Sequence, residues 1–180
     1  MEKILRKRII NLSKEAAFIL LTVVCAVVLP QIFHAVGVLL GVGGALGQIF
    51  LPMYIPVLII GFNRGIFAGA ITGLLAPLVS FAITSMPSES LLPFITLELI
   101  ATGILAGVLF KAKLPAVLRV LSVQVIAKLV RLAVFAISLY VTSGTVSASA
   151  LFAGVLTSVP GVLLQLALVS LLIVKKEKAI

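Results

Sequence analysis

Apolar residues fill this chain in six blocks, separated by short stretches that are polar or carry glycine and proline. The blocks cover residues 16–36, 51–62, 65–84, 91–110, 114–141 and 148–174. A helix needs about 20 apolar residues to cross the hydrocarbon core of a bilayer. The second block is short by that measure, and Pro30 offers a break inside the first. The separators have local causes. GFNRG (61–65) joins turn formers to a charge, and SMPSES (85–90) is polar around a proline. KAKLP (111–115) is basic and then proline-terminated, and VTSGTVSAS (141–149) is small and polar. GVLLGVGGALGQ (37–48) is glycine-rich and reads as a mobile loop or re-entrant piece. The pattern predicts an all-α integral membrane protein, a compact bundle of six transmembrane helices. Residues 1–14 form a basic N-terminal segment, 15–174 the membrane domain and 175–180 a basic tail.

Composition agrees and removes several function classes. The chain is 62% hydrophobic and 11% charged, whereas a soluble domain is about half apolar and about a quarter charged. The basic start followed by an apolar run has the look of a signal peptide. More apolar blocks follow instead of a polar mature domain, so it reads as a retained first span. The net charge of +9 does not imply a nucleic-acid partner, because the basic residues stand in short clusters between apolar runs. The lipid bilayer, with its anionic headgroups, is the simpler partner. Asp is absent, His34 is the single histidine and Cys25 the single cysteine. Metal sites and hydrolytic chemistry are therefore poorly supplied. No enzyme, metal or other cofactor is expected, with Cys25 read as a small packing residue and His34 as an interfacial one.

Basic residues also orient the bundle, since they accumulate on the cytoplasmic side. With the N-terminus inside, Lys3, Arg6, Lys7, Arg8, Lys14, Arg64, Lys111, Lys113, Arg119, Lys175, Lys176 and Lys178 are all cytoplasmic, which is 12 of the 14 basic residues. The other two, Lys128 and Arg131, fall inside the fifth block. Both termini are thus predicted to be cytoplasmic.

Ionisable groups within a membrane are expensive and mark candidate sites. Glu98 lies in the fourth block, Lys128 and Arg131 in the fifth, and the amide Gln165 in the sixth. Lys128 and Arg131 share a helix face at i, i+3 and repel unless an anion joins them, supplied by Glu98 or by a substrate. Glu98 is either a structural partner for those cations or a ligand contact. Gln165, after Pro160 and Gly161, is either helix–helix glue, worth on the order of 1 kcal/mol, or a ligand contact. Tyr54, Met53, Phe81 and Met86 are candidate apolar walls, completing a substrate-binding set with Glu98, Lys128 and Gln165. On the first helix Ala16, Ala17, Thr22 and Ala26 form a small surface for internal packing or for a partner.

Several of these stretches resemble the substrate-binding S components of energy-coupling factor (ECF) transporters. They are FLPMYIPVLIIGF (50–62), RGIFAGAITGLLAPLVSFAITSMP (64–87), LELIATGILAGVL (97–109) and SVPGVLLQLALVSLL (158–172). The resemblance covers nearly the whole chain and is most specific over 51–87. It implies a small six-helix protein of the bacterial cytoplasmic membrane that captures a vitamin or vitamin precursor from outside. It also implies association with a transmembrane coupling subunit and two cytoplasmic ATPases, which consume the ATP. The pocket is then expected near the outer face, closed by 37–48 and 85–91, with the small face of the first helix docking on the coupling subunit. At position 54, the branch it most resembles often has His.

Two other classes stand beside this one. An autonomous secondary transporter or channel for a small polar solute would use Glu98 and Lys128 as a coupling pair, but no internal repeat of the kind common there is evident. An intramembrane enzyme would need a nucleophile–base pair that the chain lacks.

Overall fold

A computed structural model describes residues 1–141 and 156–178. Within them lie seven α-helices: α1 (Glu2–Leu39), α2 (Ala45–Phe50), α3 (Tyr54–Arg64), α4 (Ile66–Thr84), α5 (Leu92–Val108), α6 (Ala116–Val141) and α7 (Val159–Lys178), with a 3₁₀ turn at Leu109–Lys111. No strand occurs among the described residues. Six stretches are long and apolar enough to cross a membrane, so the chain is an all-helical, multi-pass membrane protein. The predicted loop at 142–149 and the start of the sixth block lie outside the described residues.

Three sequence expectations change. First, Pro30 does not break α1, which runs through it for 38 residues, about 57 Å at 1.5 Å per residue. That exceeds the ~30 Å hydrocarbon core, so the helix continues past the bundle and carries the basic segment 1–14 as helix. Second, the glycine-rich stretch 37–48 is not one loop but mostly helical. Gly37 belongs to α1, a tight turn covers 40–44, and α2 starts at Ala45. A Cβ at Gly37 would overlap the carbonyl of Gly43, so glycine is what lets the turn fold back on the helix. Third, the short second block is only part of a crossing. α2 and α3 together cover Ala45–Arg64, 20 residues, and form one span interrupted at 51–53. Leu51 adopts a left-handed conformation there (φ 46°) and Pro52 follows.

Glycines on α4 form a stripe with a defined opposite number on α5. A Cβ at Gly69 would overlap the backbone of Gly103, and one at Gly103 the backbone of Gly69. Gly73 meets Leu99 in the same manner, and Gly107 meets Ile66. A Cβ on Gly61 would sit 2.6 Å from the Cβ of Ala106. The helices α3, α4 and α5 therefore cross at backbone contact, the arrangement that small residues permit in membranes. Gly65 is not part of that stripe; it caps α4 with φ 86°. The exterior is apolar, with Phe67 85%, Leu171 67% and Leu20 66% exposed, as hydrocarbon contact requires.

One end of the bundle gathers the charge. Arg64 pairs with Glu15 at 2.7 Å and lies over the Phe18 ring at 3.8 Å. Arg119 pairs with Glu177, and Lys176 donates to Asn63 at 2.6 Å. These contacts bring the 61–65 turn, the start of α6 and the end of α7 to the level of Glu15 on α1. The basic clusters spread along the sequence thus share one end, and the turns at 40–44 and 85–91 lie at the other.

Candidate functional site

Six residues into α5, ~9 Å along its axis from its first residue, Glu98 is fully enclosed at 0% exposure. This end of α5 follows the 85–91 turn, away from the charged end. Its Oε1 accepts from Lys128 Nζ at 2.7 Å and its Oε2 from Arg131 Nη1 at 3.1 Å. The i, i+3 spacing on α6 makes this fork possible, since both cations project from one helix face toward α5. Arg131 is a full member of the cluster. Tyr54, the first residue of α3, closes one side. Its ring lies 5.2 Å from Lys128 Nζ, within cation–π range. Its hydroxyl borders Glu98 and Arg131, yet forms no hydrogen bond of normal geometry.

Tyr54 is held there by a packed wall. Met53, Tyr54, Val57, Ala26, Ala76 and Leu99 form one buried cluster, with Leu51 and Ile95 against it. Met53 is therefore a wall residue next to the triad. Phe81 and Met86 are not brought into this cluster. Phe81 is half-buried on α4, and Met86 is 46% exposed in the 85–91 turn.

Gln165 has a different task. Its Oε1 accepts from Gln124 Nε2, and its Nε2 donates to Leu51 O at 3.1 Å and to Phe50 O at 3.5 Å. Those carbonyls belong to the break between α2 and α3, where the backbone leaves helical geometry and needs outside partners. The amide thus braces the break through its nitrogen and is itself held through its oxygen. Gly161, one turn earlier on α7, lets the helix approach the break: a Cβ there would lie 2.6 Å from Phe50 O. Pro160 is the second residue of α7. It stands in the first turn of α7, where its missing N–H costs no helical bond. Gln124, buried at 2%, escaped the sequence reading; a lone amide among leucines and valines in the fifth block was the available signal.

The four small residues of α1 do not form one outer face. Ala26 is completely buried against Tyr54 and Val57, which makes it internal packing. Thr22 is half-buried and donates to Phe18 O. Ala16 and Ala17 are exposed, and Ala16 lines an apolar groove of about 1060 Å³ between α1 and α4, together with Ile19, Val23, Val27, Leu75 and Val79.

No group of three or more His, Cys or carboxylate side chains suited to a metal ion occurs among the described residues. Fold and site together define a multi-pass membrane protein with a charged triad enclosed in its interior. No family model, curated protein or solved structure matches the chain.

Proposed function

We propose that this chain is the substrate-binding subunit of an ECF-type importer for a vitamin or vitamin precursor. The observation that carries the reading is the enclosed Glu98–Lys128–Arg131 triad, walled by Tyr54 and set away from the charged end. Buried ionisable groups of this kind are functional sites by default, and a mostly apolar wall with few placed polar groups is what small-molecule sites need. The resemblance over 51–87 supports the same reading. In this reading the charged end faces the cytoplasm, the membrane is the bacterial cytoplasmic membrane, and the ligand enters from the opposite side. The chain binds and does not hydrolyse. It has no phosphate-cradling loop of the G-x-x-x-x-G-K-[ST] type, so ATP is used by two partner ATPases through a transmembrane coupling subunit. The α1–α4 groove is the surface offered to that subunit.

The test is reconstitution in liposomes with and without the coupling subunit and ATPases, using a labelled panel of vitamins and precursors. Uptake is expected only with the partners and ATP, together with co-purification of the complex. Uptake by the chain alone, driven by an ion gradient, would replace this reading with an autonomous secondary transporter.

A further inference from the structure

Charge in the interior does not balance. The chain has five acidic residues, all glutamate. Glu15 pairs with Arg64 and Glu177 with Arg119 at the charged end. Glu2 opens α1, and Glu89 is exposed in the turn before α5. Residues 142–155 contain no acid. Glu98 alone therefore meets both Lys128 and Arg131, and one carboxylate against two cations leaves a formal charge of +1. The imbalance sits where water is scarce: Glu98 is 0% exposed and each cationic side chain 13%. An uncompensated charge in such surroundings is costly.

A second, independent observation points the same way. The Tyr54 hydroxyl is buried beside Glu98 and Arg131 and makes no hydrogen bond of normal geometry to either. Lys and Arg can only donate, and a phenol adds an O–H donor, its oxygen being a neutral acceptor that carries no charge. Glu98 accepts one bond from each cation, which leaves further N–H donors on Lys128 and Arg131 and the whole O–H of Tyr54. The cluster is rich in donors and short of one acceptor carrying one negative charge.

We infer that the triad is an incomplete oxyanion site, completed by the carboxylate or phosphate group of the ligand. Arg131 and Lys128 hold the oxyanion by charge-assisted hydrogen bonds, and the Tyr54 hydroxyl supplies a third donor. This rests on the reading of the triad as the substrate site and adds the class of substrate: a small acid, not a neutral or cationic molecule. Selectivity follows, because an uncharged analogue leaves desolvated donors unpaired.

The experiment uses the full chain in detergent and follows its melting temperature. The probes are benzoate, its uncharged counterpart benzamide, and inorganic phosphate, at ionic strength matched with chloride. Benzoate or phosphate is expected to raise the melting temperature by several degrees, and benzamide is not. Benzoate acting alone identifies a carboxylate ligand, and phosphate acting alone a phosphorylated one. Arg131→Gln removes the excess charge, so this variant melts no lower than the parent and loses the oxyanion response. Glu98→Gln leaves two opposed cations, so it melts lower and regains much of the loss in the oxyanion. Tyr54→Phe weakens the response without lowering the melting temperature. The inference is overturned if Arg131→Gln melts clearly below the parent, if benzamide protects as well as benzoate, or if neither oxyanion protects. Should it fail while ATP-dependent uptake with the partners holds, the ligand is uncharged and the importer reading stands. Should the oxyanion response hold while the chain transports without partners, the reverse is established.

Discussion

Replacing Gln165 with leucine separates a brace from a ligand contact by the sign of a second mutation. Leucine keeps roughly the volume of the side chain and removes its amide. Three groups then lose a partner: Gln124 Nε2, which is buried at 2%, and the carbonyls of Phe50 and Leu51. They are not equal. Leu51 O keeps the N–H of Tyr54 at 3.1 Å, and the bond to Phe50 O is long at 3.5 Å. The orphaned amide of Gln124 dominates, and a buried donor left unmade costs about 1–3 kcal/mol. With a smaller share from the carbonyls, Gln165→Leu should lose about 2–4 kcal/mol. Adding Gln124→Leu removes the orphan, so the double variant should be more stable than Gln165→Leu alone, by about 1–2 kcal/mol. The assay is a double-mutant cycle of unfolding in mixed micelles, read by helical circular dichroism, with ligand affinity measured on each folded variant. A Gln165→Leu protein as stable as the parent but unable to bind would refute the brace. So would a double variant less stable than the single.

Two further outcomes follow from the packing. Gly103→Ala should cost at least about 2 kcal/mol, because the added methyl meets backbone on α4 that cannot rotate aside. Gly69→Ala faces the same contact from the other helix, so the double variant should cost less than the sum of the singles in the same unfolding assay. At the charged end, Arg64→Gln removes an exposed ion pair with Glu15 and the stack on Phe18, and should cost only about 0.5–1.5 kcal/mol. Raising the salt concentration should shrink that difference, and a loss that is unchanged in high salt would mean that packing against Phe18, not the ion pair, carries it.

The sequence made the crossings legible because hydrocarbon imposes a length and a polarity on every block. Arg64, together with the turn formers around it, marked a turn, and the structure puts that turn with the other basic clusters. The break at 51–53 was harder to read. Pro52 stands in it, but the partner that satisfies it, Gln165, lies more than a hundred residues away, as does the Gly161 that makes room for it. No local pattern could connect them. Ala26 was ambiguous for the same reason: a small residue on a membrane helix fits an internal neighbour as well as an external one, and only the position of Tyr54 decides. Pro30 was misleading because proline is a stop signal in water, while neighbouring helices and local adjustment let a membrane helix carry it.

The triad was the most legible part of the site, and the physical reason is scarcity. In a chain with five acids, a carboxylate in the middle of an apolar block has few structural excuses, and two cations three residues apart on another block need an anion between them. What the residue types could not give was the count of partners. Had Glu98 met Lys128 alone, the pair would be neutral and a purely structural role would suffice. Because Arg131 shares the same carboxylate, the cluster carries a surplus that internal pairing cannot remove. The Tyr54 hydroxyl, which makes no hydrogen bond of normal geometry, stands beside that surplus. Position 54 matters for this reason: its phenol places one further O–H donor at the unbalanced charge.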